Sequence, residues 1–83
     1  MMLDHANVIG LAGGAVLIAA FGYSNLTKAL NLVLFNLLNL LGAAMLIASL
    51  AVHFNLGSMV LEIVWAAVAL LGLVRALFAR ARA

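Results

Sequence analysis

Glu62 is the one acidic residue inside the apolar stretches of this chain, and His53 and Asn55 lie just upstream of it across a short polar break. A carboxyl, an imidazole and a carboxamide within reach of one another can relay a proton, hold a cationic or polar ligand, or simply satisfy one another's hydrogen bonds. Trp65, one turn after Glu62, lies on nearly the same side of a helix and joins them as a candidate contact residue. The predicted unit is therefore one polar cluster of His53, Asn55, Glu62 and Trp65. A plainer reading stands beside it, in which Glu62 reaches the interface and is solvated while Trp65 anchors there.

Asn36 and Asn39 raise the same question deeper in the chain. A carboxamide in hydrocarbon without a partner costs about 2–7 kcal/mol by transfer estimates, so each needs a polar neighbour. Asn36, Asn39, Ala43, Leu46, Ser49 and His53 recur at steps of three and four, which puts them on one broad helix face. Hydrogen bonding to a facing helix is the expected use, and lining a solute path is the alternative. Ser49 and His53 also have the small-x-x-x-His spacing of some pigment and haem helices, but one such pair specifies little. No cofactor and no metal site are expected.

Two histidines, two acids and no cysteine among 83 residues assemble no nucleophile with its base, no paired carboxylates and no metal-ligand cluster. The sequence predicts a protein that is not an enzyme. Four basic residues against two acids cannot form a phosphate-binding face, so nucleic acid is not an expected partner.

What must position these residues is a membrane. The chain is 70% hydrophobic and 7% charged, with no proline, far outside the range of a soluble domain. Three apolar stretches, about 6–23, 29–54 and 58–78, are each long enough for a hydrocarbon core of ~30 Å. The breaks "SNLTK" and "NLGS" are short, so neighbouring spans run antiparallel. The predicted fold is all-α, a single domain over 1–83, an up-down-up bundle of three transmembrane helices. Lys28, Arg75, Arg80 and Arg82 then fall on one side, where they would meet anionic lipid, and the opposite side has no lysine or arginine. The positive-inside rule places the N-terminus outside and the C-terminus in the cytoplasm. The first stretch lacks a basic leader and is read as a retained span.

Close packing is expected where side chains are small. Gly10 and Gly14 have the G-x-x-x-G spacing that lets two helices approach in lipid, and Gly42, Ala66, Ala69 and Gly72 supply further small positions.

The pieces "IGLAGGAVLIAAFGY" at 9–23, "NLLNLLGAAML" at 36–46 and "LEIVWAAVALLGL" at 61–73 together resemble an uncharacterised family of small three-span bacterial membrane proteins. Its distinctive positions correspond here to Tyr23, Asn39, Gly42, Glu62, Trp65 and Gly72. The resemblance implies a multi-pass protein of the bacterial inner membrane and transfers no substrate. The architecture is also distantly similar to SemiSWEET and PQ-loop half-transporters, although the Pro-Gln pair, and proline altogether, are missing. Two functions follow as expectations. One is an accessory or assembly subunit that packs against helices of a larger membrane complex, energy-transducing complexes included. The other is a half-transporter that homodimerises around Asn36, Asn39, Glu62 and Trp65 to pass a small solute.

Overall fold

A computed structural model describes residues 3–82. Each helix begins where a short polar side chain takes up a free amide of the first turn. Asp4 Oδ1 accepts from the Asn7 amide at 2.8 Å and starts α1, His5–Leu26. Asn31 Oδ1 accepts from the Leu34 amide at 3.1 Å and starts α2, Leu32–Val52. Asn55 Oδ1 accepts from the Ser58 amide at 2.9 Å and starts α3, Leu56–Arg82. All three helices are long and apolar enough to cross a membrane, as the sequence predicts.

The boundaries shift for physical reasons. The first loop lies at 27–31 rather than 24–28, because Ser24 satisfies its hydroxyl on the Phe21 carbonyl at 2.7 Å without leaving the helix. The loop is then tied back by the Tyr23 hydroxyl, which accepts from the Asn31 amide at 2.9 Å. At the other end α3 runs on through alternating arginine and alanine, both strong helix formers, to Arg82. Its 27 residues span about 40 Å, roughly 10 Å more than a hydrocarbon core.

The helices alternate in direction, up-down-up, and form an open layer with α2 in the middle. α1 and α3 each pack on α2, and their backbones do not come together. Small residues make these contacts: Gly13, Ala20, Gly42, Ala43 and Ala69 are buried, and among the described residues no large side chain is fully enclosed. The large apolar residues point outward, as they do when lipid is the solvent and helix association comes from backbone approach rather than from hiding leucine.

Candidate helix-packing site

Asn39 occupies the middle of α2 and is only 8% exposed. Its Nδ2 donates to the Phe35 carbonyl at 2.9 Å, which fixes the amide plane and turns Oδ1 toward α3. There Oδ1 accepts from the Trp65 indole Nε1–H at 3.0 Å. Both polar groups are thereby satisfied within the chain. Trp65 as a whole remains 45% exposed, so the residue uses its polar edge on Asn39 while much of its apolar surface stays uncovered.

One turn away Asn36 meets the same problem differently. Its Nδ2 donates to the Leu32 carbonyl of its own helix at 2.8 Å. The carboxamide then lies directly over Gly72, where a Cβ would come within 2.8 Å of the Asn36 Cγ. Gly72 is thus the notch in α3 that accommodates Asn36. Ala69, buried between these two contacts, and half-buried Ala66 complete the small-residue seam.

On the opposite flank of α2 the seam is made by Gly10, Gly13 and Gly42. A Cβ on Gly13 would come 2.9 Å from the Gly42 carbonyl oxygen, and one on Gly42 would come 2.9 Å from the Gly13 carbonyl oxygen. Two backbones in mutual contact leave no side chain that could yield. Gly10 faces the Ser49 hydroxyl, 2.6 Å from a built Cβ. Gly14, by contrast, has nothing within 4 Å in this position. The spacing that matters against α2 is Gly10 and Gly13, not Gly10 and Gly14. A helix turning 100° per residue brings i and i+3 to one face as readily as i and i+4, and the spacing motif cannot choose between them.

The expected polar cluster at the other end is not assembled. His53 Nε2 lies 2.7 Å from Asp4 Oδ2, so it joins the end of α2 to the start of α1 rather than to α3. Asn55 spends its side-chain oxygen on the first turn of α3. Trp65 bonds Asn39. Glu62 stands apart from all three, with Oε1 buried and without a hydrogen-bond partner. Asp4 carries both a helix cap and the histidine contact. The Asn7 amide, and after it the His53 ring, hold its carboxyl below the ordinary value of 3.8.

Lys28, Arg75, Arg80 and Arg82 are all exposed and gather at the end of the layer away from Asp4 and His53. Among the described residues no three histidine, aspartate or glutamate side chains come together as a metal site. Sequence reasoning set Gly13 only beside the Gly10–Gly14 pair, and passed over Tyr23 as a loop tie and Asp4 as the partner of His53. Asp4 was legible as a helix cap before an apolar run; its long-range partner had no local signal.

A model of an uncharacterised protein family matches residues 6–80, which takes in nearly the whole of all three helices. The chain belongs to that family. No curated protein and no solved structure matches it. The family's span includes the Asn39–Trp65 pair, the Gly13–Gly42 crossing and the Asn36–Gly72 notch, so the packing seams lie inside the family unit.

Proposed function

We propose that this protein is a non-catalytic membrane subunit that packs against the helices of a larger membrane assembly. The observation that carries the reading is how the deep polar groups are used. Asn39 and Trp65 close on each other and Asn36 closes on its own backbone, as helix glue does and as the lining of a solute path does not. The open layer supports it as well. With α2 in the middle, the layer leaves two long helix faces for neighbours.

The half-transporter reading draws on a groove of about 360 Å³ beside the pair, lined by Phe35, Asn36, Asn39, Leu61, Trp65 and Val68 among others. Its lining is mostly apolar, and the side-chain nitrogens of Asn36 and Asn39 already donate within α2. We place the protein in the bacterial inner membrane, N-terminus outside, with Lys28 and the three arginines on the cytoplasmic face.

The test is the size of the native particle. Membranes solubilised in mild detergent and analysed by native mass spectrometry should give a defined complex larger than a dimer, weakened by Asn39→Leu. A bare homodimer, with solute uptake lost in Asn39→Leu, would overturn the subunit reading in favour of transport.

A further inference from the structure

Glu62 has no role in either packing seam, yet it is the one carboxyl within a spanning helix. It lies six residues past the start of α3, about 9 Å along the axis. The side chain is half-buried, and its Oε1 is shut in without a hydrogen-bond partner. An unserved carboxyl at that depth is costly, and a buried group left unsatisfied in an isolated chain calls for an explanation.

The register says which neighbours are at hand. Asn39 faces Trp65 and Asn36 faces Gly72, so Glu62 lies level with Gly42 to Leu46 of α2. Gly13 of α1 lies level with the same turn, since it touches Gly42 and Met45. These are glycine, alanine, methionine and leucine positions, and none has a side chain that can donate a hydrogen bond. The nearest polar side chains on α2 are Asn39, already bonded to Trp65, and Ser49, buried against Gly10.

A second copy does not supply the missing group. In a symmetric pair about the membrane normal each Glu62 meets only side chains from its own depth, and the chain's one lysine and three arginines all lie at the other end of the layer. Resting on the subunit reading above, we infer that Glu62 is the contact point for a lysine or arginine on a transmembrane helix of a different protein, placed about 9 Å inside the end of the layer where α3 begins. A basic side chain neutralises the carboxyl's charge and donates to its oxygens together, whereas a hydroxyl or amide does only the second. Oε1 is closed off by the chain itself, so the base approaches from the partly exposed side and meets the rest of the carboxylate, whose charge is shared by both oxygens.

The probe is a poly-leucine transmembrane peptide with a single lysine six residues from one end, compared with plain poly-leucine. The full chain is reconstituted in phosphatidylcholine vesicles, and association is read by energy transfer between labels on chain and peptide. The lysine peptide should bind roughly ten-fold more tightly than plain poly-leucine, on the scale of one good intramembrane polar contact. That preference should vanish in Glu62→Leu and fall sharply in Glu62→Gln, with helix content by circular dichroism showing that each variant is folded. Equal binding of both peptides to the native chain would overturn the proposal. So would energy transfer between native chains that Glu62→Leu abolishes, because it would make the carboxyl a self-contact. Either result leaves the larger native particle to be judged separately, so this contact can fail while the subunit reading stands.

Discussion

The Trp65 indole donates to the Asn39 carboxamide across 3.0 Å and so joins the middles of α2 and α3. The bond uses the one tryptophan of the chain and an asparagine that also holds its own helix backbone. Polar bonds between membrane helices average ~0.6 kcal/mol and reach about 1.7. Trp65→Phe and Asn39→Leu should each destabilise the α2–α3 contact by about that much. The double variant should cost less than the sum, since either change alone removes the same bond. Unfolding from mixed micelles, followed by helix content, measures all four corners of the cycle, and strict additivity would show that the two side chains do not act as a pair.

The glycines of α1 should separate by face. Gly13→Ala puts a methyl against the Gly42 carbonyl oxygen and the Met45 Cβ, where backbone cannot move aside, and should cost about 1–3 kcal/mol. Gly14→Ala meets none of the described residues within 4 Å and should be neutral or slightly favourable through helix propensity. The same unfolding measurement decides it. Loss of stability in the isolated chain at Gly14 but not at Gly13 would contradict the packing of α1 on α2.

The contrast shows what the sequence could say. Apolar length and short polar breaks are local properties, so three antiparallel spans were legible from composition and spacing alone. The importance of Asn39 was legible too, because a carboxamide in hydrocarbon must find a partner. Which partner was not, since Trp65 lies on another helix and depends on register. Gly13 against Gly14 is a choice of about 100° around one helix, finer than a spacing motif resolves. His53 was expected to face the third helix because it is near Glu62 in sequence, but the nearer end in space is that of α1, where Asp4 waits as a cap.

Gly72 and Asn36 make a steric pair. Gly72→Ala drives a methyl into the Asn36 carboxamide, with Cγ at 2.8 Å, and should loosen the α2–α3 contact by about 1–3 kcal/mol. Asn36→Ala removes the obstacle, so Gly72→Ala should be far milder in that background. Crosslinking of a cysteine pair at Leu32 and Ala76, one turn from the contact, reports the approach of the two helices. A Gly72→Ala effect of the same size in both backgrounds would show that Asn36 is not what the glycine accommodates.

Four basic residues at one end of the layer predict its orientation. Fusions to a reporter active only in the cytoplasm should be active at the C-terminus and inactive at the N-terminus. Replacing Lys28 alone should leave the pattern intact, because three arginines remain on α3. An active N-terminal fusion would reverse the proposed orientation.

The Asp4–His53 contact gives the acid response of the far end a definite sign. The Asp4 carboxyl lies below its ordinary 3.8 because the Asn7 amide and the His53 ring favour its charged form. A carboxylate lowered in the folded chain contributes stability above its unfolded value and loses that contribution as pH falls through the folded one. Among the described residues the other ionisable groups near this end are His5 on α1 and, deeper in α3, Glu62. Since Asp4 and His53 are both partly exposed, the effect is local and weakened by salt. Protection of the Asn7 amide against hydrogen exchange should therefore fall as pH drops from above 3.8 to below the lowered value, and fall sooner in His53→Leu. Asp4→Asn keeps a good helix cap but has no proton to gain, so its Asn7 protection should not change across that range. The same acid-induced loss in Asp4→Asn would mean that a group other than Asp4 governs this end of the molecule.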